Sequence, residues 1–465
     1  MRKILFLGLL FTTLFSCRKS DENLDISMSD YPLDIPKTSA AIDAWLDNNF
    51  NKPWNINVEY RFDAYETDIN RSISPISLDR IQPVMQAMLD CFIGPYKTVA
   101  GETFGKIYFP KQWCLYGSYS YNTDGSRILG TASSARRVNI YNLNNINLTT
   151  GDDVATCMRT LHHEFTHCLN QTYPIPAAFQ LISAANYDPV WTNKSDALVR
   201  DLGFVNPYSS SSYEEDFAEI FAHIVVRGPI WYSNWLNQAS ASGRAALKAK
   251  EAIVYDYLMN YFNIDLYKLQ SAVQNVLRTK YNYTQPEDIT LQFPYRLANG
   301  SVNTITMDTT ATYNTTYGKS ALFMPILRNY ASTLRGGNWY MRSIQFIFNS
   351  SSSMTFRVGF TQGATGTTLY NGDYNFNYTT DPITGLVTFT KAIPEGSGTT
   401  YNNGQITAIL SGFETYILPY LTNRQFVAAY LPTGITSTSP LYRTYAGFYV
   451  NGTSTNYFYG PVTYK

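Results

Sequence analysis

At about residue 290 the hydrophobic period of this chain of 465 residues changes, and that change limits what it can fold into. Upstream, "AAIDAWLDNNF", "DRIQPVMQAMLDCF", "GRAALKAKEAIVYDYLMNYF" and "DLYKLQSAVQNVLRTKY" repeat apolar residues every three or four positions, the period of an amphipathic helix. Downstream, "NWYMRSIQFIFNS", "SMTFRVGFT", "GDYNFNYTT", "GLVTFTKA", "QFVAAYL" and "AGFYVNG" alternate apolar and polar residues between Gly, Asn and Ser turns, the period of half-buried strands. Charge shifts at the same place: residues 291–465 hold 15 of the 70 charged residues and no His or Cys. Short strands, "KIYFP" and "RRVNIYNL", break the helical part. The pattern predicts an α+β domain over 37–290, with helices on one side of a small sheet, followed by a separate all-β domain over 291–465, a sandwich or a lipocalin-like barrel.

Lys+Arg and Asp+Glu both number 35, so a net charge of zero gives no reason to expect nucleic acid as a partner. The chain begins "MRKILFLGLLFTTLFS", a basic start and an apolar run too short for a comfortable membrane span, which predicts an export signal over 1–16. It ends in "LFSC", which resembles the bacterial lipobox; that resemblance implies lipidation of Cys17 and anchorage to the outer membrane. The polar stretch after it, a tether over 17–36, is similar to the surface-export signal of Bacteroidetes lipoproteins. Cys91, Cys114, Cys157 and Cys168 remain, with pairing undetermined. Cys157 and Cys168, on one predicted helix, stand about 16 Å apart, beyond disulfide reach.

All four histidines fall between positions 162 and 223. "HEFTH" puts His163 and His167 four residues apart, on one helical face, with Glu164 between them. Val154, Cys157, Met158, Leu161, Phe165, Cys168 and Leu169 form the apolar stripe of that helix, and the two histidines lie on its far side. A hydrolytic zinc site needs a third protein ligand and an open position for water. No third His follows soon after the motif, so a carboxylate on a second helix is the remaining common solution. In "YEEDFAEIFAHIVV", Tyr213, Phe217, Ile220, Phe221 and Ile224 make an apolar stripe, while Glu215, Glu219 and His223 line up on the other side. His162, about 100° round from His163, reads as packing.

"HEFTH" followed by "EEDFAEIFA" resembles the zinc metallopeptidases of Bacteroidetes that occur as lipoproteins beside outer-membrane nutrient-import systems, and more distantly the catalytic domain of anthrax lethal factor. The resemblance covers roughly residues 37–290. It implies a zincin-like domain with one Zn²⁺ per chain, His163, His167 and Glu219 as ligands and Glu164 as catalytic base. Glu215 ranks second as third ligand, with Glu219 then orienting a histidine. His223 and Asp216 are candidates for holding a ligand in orientation. The toxins also carry a tyrosine seven residues before the third ligand that helps stabilise the oxyanion; counted from Glu219 that position is Ser212, and Tyr213, one place on, is the candidate left for the role.

The expected function is that of a cell-surface lipoprotein metallopeptidase acting on proteins, peptides or glycoproteins, associated with an outer-membrane import complex. The rival is a non-catalytic surface protein that captures glycan or glycoprotein through its tyrosine-rich β domain.

Overall fold

The computed structural model describes residues 40–63, 70–123, 125–308, 319–436 and 439–465. The predicted export signal, tether and Cys17 lie outside them. No helix among the described residues is long and apolar enough to cross a membrane. The chain divides into two compact units at Leu148/Thr149.

In the first unit a four-stranded sheet runs in the order β1 (Asn57–Glu59), β2 (Gln112–Leu115), β4 (Arg137–Ile140), β3 (Gly130–Ser133). β1, β2 and β4 are parallel, and β3 is an antiparallel edge. The unit also holds helices α1 (Ala40–Leu46), α2 (Leu78–Met88) and α3 (Gly94–Tyr108), and Trp113, Val138, Phe92 and Phe109 are buried in it. One expected strand is a helix end instead: Lys106, Ile107 and Tyr108 of "KIYFP" close α3. The Lys111 ammonium donates to the carbonyl of Lys106 at 2.7 Å, and the Gly105 carbonyl accepts from the Phe109 amide at 3.1 Å, so carbonyls of the last turn find partners.

The second unit opens with helix α4 (Gly151–Thr172), which carries "HEFTH". Its first residue has to be glycine, because a Cβ there would lie 2.4 Å from the Tyr283 backbone. Helix α5 (Tyr213–Arg227) packs along α4 and carries the acidic motif. Ser212 caps it by accepting from the Glu215 amide. At its other end the orphan carbonyls are met by glutamines. Gln270 donates to Ile224 O at 2.7 Å, Gln274 to Val226 O at 2.5 Å and Gln285 to Arg227 O at 2.7 Å. Helices α6 (Ala241–Phe262) and α7 (Leu266–Tyr281), where Gln270 and Gln274 sit, complete this layer. Both ends of α5 are thus fixed by side chains, which sets the rotation of its acidic face.

Eight antiparallel strands then close a barrel: β5 (Val302–Asp308), β6 (Trp339–Phe348), β7 (Ser353–Gln362), β8 (Leu369–Thr380), β9 (Leu386–Lys391), β10 (Gln425–Ala429), β11 (Tyr445–Val450) and β12 (Thr453–Tyr464), with β12 pairing back to β5. The fold class expected from the alternating pattern holds, as a barrel. Its inward positions are aromatic, with Phe346 stacked on Phe458 at 5.0 Å and Phe389 edge-on to Phe448 at 5.3 Å. Helices not foreseen from the sequence contribute to the same core. α8 (Met324–Gly336) supplies Leu327, Tyr330 and Leu334, and a helical run over 399–422 supplies Phe413, stacked on Tyr374 at 3.6 Å, and Tyr420, against Phe426 at 5.7 Å.

Candidate metal centre

The stretch of α4 around the histidines is enclosed on more sides than the two-faced pattern suggests: His162, His163, Glu164, Phe165 and Thr166 are all buried. His162 meets Phe221 of α5 edge-on at 6.2 Å, a packing contact. Cys157 and Cys168 carry free thiols, which burial pushes up to about 12.

His163 and His167 fall one turn apart, and their Nε2 atoms approach to 3.0 Å. Glu215 of α5 brings one carboxylate oxygen to 3.0 Å from His163 Nε2 and 3.3 Å from His167 Nε2. Zinc bonds of about 2.0–2.1 Å in a tetrahedron place ligand atoms about 3.3 Å apart. Two imidazole nitrogens and a carboxylate oxygen at these separations therefore fit a tetrahedral zinc ion with one vertex left for water.

The two glutamates stand in the reverse of their expected order. Glu219, one turn beyond Glu215, lies behind His163: its Oε1 is 2.8 Å from His163 Nδ1, the nitrogen facing away from the cluster. Its Oε2 accepts from the Asn206 amide at 2.5 Å and lies 3.1 Å from His223 Nδ1. Glu219 thus stands where an orienting group would stand, and Glu215 where a third donor to a metal would. The two share one helical stripe, so periodicity cannot tell which turn of α5 lies level with the Nε2 atoms.

Reversing the order moves the tyrosine as well. Seven residues before Glu215 stands Tyr208, whose ring centroid lies 6.1 Å from that of His163 and whose hydroxyl interacts with Glu215. It sits in the one-turn helix Tyr208–Ser210, and Asn206 braces that turn by accepting from the Ser209 amide at 2.8 Å while its amide nitrogen holds Glu219. Burial and the charges of Glu215 and Glu164 push the Tyr208 hydroxyl well above its ordinary pKa, so it remains an O–H donor. Trp191 packs edge-on against Tyr208 at 5.1 Å. Counting seven residues back from Glu219 hid Tyr208. Tyr213 is not brought to the cluster; its hydroxyl interacts with neighbouring Glu214. Asp216 also turns away: it pairs with Lys250 at 2.7 Å and accepts from Tyr187 at 2.8 Å, fully buried.

The electrostatics of the cluster follow from its packing. Burial raises the proton affinity of Glu164, which suits a group that must accept a proton. Burial also opposes charge on Glu215, but hydrogen bonds from His163 and His167 hold its carboxyl far below the usual range. For His163 burial favours the neutral ring, but the charge of Glu219 and hydrogen bonds to Glu215 and Glu219 outweigh it and hold the pKa well above 6.5. A raised histidine stabilises the metal-free fold fully below its ordinary pKa, and that contribution is lost as pH rises through the raised value. Metal must displace this proton, so zinc affinity should rise with pH across the same window. Calorimetric zinc titrations at pH 7, in two buffers of different ionisation enthalpy, should show release of about one proton per site. Heats independent of the buffer would contradict that charge state.

Residues 35–267 match the model of a family described as "putative zinc-binding metallo-peptidase". No curated protein matches the chain. Among solved structures, the chain is similar to a protein of the same description from Bacteroides caccae ATCC 43185, at 28% identity, covering 52% of this chain and 94% of that one, with a TM-score of 0.45. The family match takes in half of the residues and both motif helices, and the chain belongs to this zinc-binding metallo-peptidase family.

Proposed function

We propose that this protein is a cell-surface lipoprotein that hydrolyses peptide bonds with one zinc ion per chain, held by His163, His167 and Glu215. The observation that carries the reading is the convergence of three donor atoms, two Nε2 and one Oε2, at separations of 3.0, 3.0 and 3.3 Å. When bound, zinc polarises the scissile carbonyl and lowers the pKa of a water to about 7.

The chain's own residues supply the rest. Glu164 takes the proton of the attacking water and passes it to the leaving amine, a transfer that its raised proton affinity favours. The Tyr208 hydroxyl, still protonated, offers a hydrogen bond to the oxygen on which negative charge develops. Glu219, 2.8 Å from His163 Nδ1, would hold that ring with its Nε2 lone pair available to the metal. Trp191, half-buried beside Tyr208, forms an aromatic wall along which a substrate side chain can lie.

Lipidation of Cys17 places the site at the outer-membrane surface, where peptides, proteins or glycoproteins reach it before an import complex takes up the products; "LFSC" and the polar tether support that part. Side chains fill the interior of the barrel, so a role in holding glycoprotein falls to its outer surface. Incubation with a mixture of unfolded proteins tests the activity. Hydrolysis should stop on chelation and return on adding one equivalent of zinc. Cleavage that persists unchanged in chelator would overturn the assignment.

A further inference from the structure

Behind the cluster, α4 and α5 enclose a row of polar groups that ends on a residue outside both motifs. Arg159 precedes His163 by one turn of α4, and its Nη1 lies 2.8 Å from His223 Nε2. A guanidinium only donates, so this ring nitrogen must accept and carries no hydrogen. The ring hydrogen of His223 is then on Nδ1, which lies 2.9 Å from the main-chain oxygen of Glu219 and 3.1 Å from its Oε2. The other carboxylate oxygen of Glu219 lies 2.8 Å from His163 Nδ1. Each contact in the row determines the direction of the next, from the Arg159 guanidinium, which can only donate, to the main-chain and carboxylate oxygens of Glu219, which accept.

The surroundings hold the row in that state. His223 is buried, and Trp231 packs against its ring at 5.1 Å and 36°, which resists a flip. A protonated His223 would set two cations 2.8 Å apart in a buried position. Burial and the Arg159 charge depress the His223 pKa, in keeping with a neutral ring.

We propose that Arg159 is a positioning residue of the metal site: it fixes His223 as the Nδ1–H tautomer, His223 fixes Glu219, and Glu219 turns His163 Nε2 toward His167 and Glu215. The inference rests on the metal-site reading above. It extends control of the site to a side chain that touches neither metal nor substrate.

The chain has only four histidines, so ring nitrogen spectra of ¹⁵N-histidine-labelled protein can be read residue by residue. In the full-length protein, metal-free and zinc-loaded, His223 should show a protonated Nδ1 and a bare Nε2. Arg159→Met should give a mixture of His223 tautomers and weaken zinc binding, measured by chelator competition on folded protein, by about 10-fold or more. Arg159→Lys should recover part of that loss. An imidazolium or Nε2–H His223 in the wild type would overturn the proposal, as would unchanged zinc affinity in Arg159→Met. If the wild type took up no zinc, the metal-site reading would fail, while the tautomer of His223 would still decide whether the relay exists. A purely structural Arg159 would lower thermal stability and leave the tautomer unmoved, which also counts against the proposal.

Discussion

Glu164→Gln should retain a full complement of zinc and lose peptide hydrolysis by about 10³-fold, the scale of a positioned general base. The substitution keeps the shape and most of the polarity of a buried side chain, so the fold and the cluster of His163, His167 and Glu215 should be little disturbed. What it removes is the ability to accept a proton. In the native chain burial raises the proton affinity of Glu164, and the charges of His163 and His167 limit that rise. A carboxylate in that balance can take a proton from water near neutral pH and give it up again to an amine. The two measurements separate two causes of inactivity: lost metal and lost proton transfer. Hydrolysis near the wild-type rate in a zinc-loaded Glu164→Gln protein would remove Glu164 from the mechanism.

Tyr208→Phe should lower kcat by about 10²-fold with little change in KM and none in zinc content, the cost of removing one donor to a developing oxyanion. Phenylalanine preserves the ring that packs between His163 and Trp191, so the loss isolates the hydroxyl. Tyr213→Phe is the matched control. Its hydroxyl interacts with Glu214 and it should hydrolyse like the wild type. A Tyr213→Phe protein that loses kcat while Tyr208→Phe keeps it would restore the tyrosine expected from counting back from Glu219.

That exchange of tyrosines shows where sequence reasoning reached its limit. Residues four apart on a helix share a face, so "HEFTH" offers a helical chelate, but so short a motif also arises by chance, and it took the acidic helix to point to a site. The acidic partner helix was also legible, since its apolar stripe and the histidine on its polar side point to one orientation. Depth along that helix was not legible. Glu215 and Glu219 lie about 40° apart on one face of the helix, and only the packing of α5 against α4 puts the first level with the Nε2 atoms and the second behind His163. Once that one turn is misplaced, a fixed seven-residue spacing lands on Ser212 instead of Tyr208.

Arg159 was hidden for a related reason. Its role depends on a partner 64 positions away, His223, and on a hydrogen-bond direction that periodicity does not encode. Asp216 lies beside Glu215 in sequence, but its position on the helix turns it to Lys250 on α6. In the barrel, alternation marked β6 to β11, while β5 and β12, the pair that closes it, were not among the segments singled out. The run over 399–422 is broken by Gly404, Gly412 and Pro419, and its helices are held by aromatic packing on the barrel core more than by local pattern. "KIYFP" failed in the other direction, as β-forming residues that close a helix whose Lys106 carbonyl is met by Lys111.

The most direct test of the site is zinc content per folded chain in four proteins prepared alike: wild type, His163→Ala, Glu215→Ala and Glu219→Ala. The geometry predicts about one zinc in the wild type, almost none in His163→Ala and Glu215→Ala, and zinc still bound in Glu219→Ala with affinity weakened by about 10- to 100-fold. Equal trace metal in all four would contradict a metal centre, and a Glu219→Ala protein that is empty while Glu215→Ala stays full would return the third ligand to Glu219.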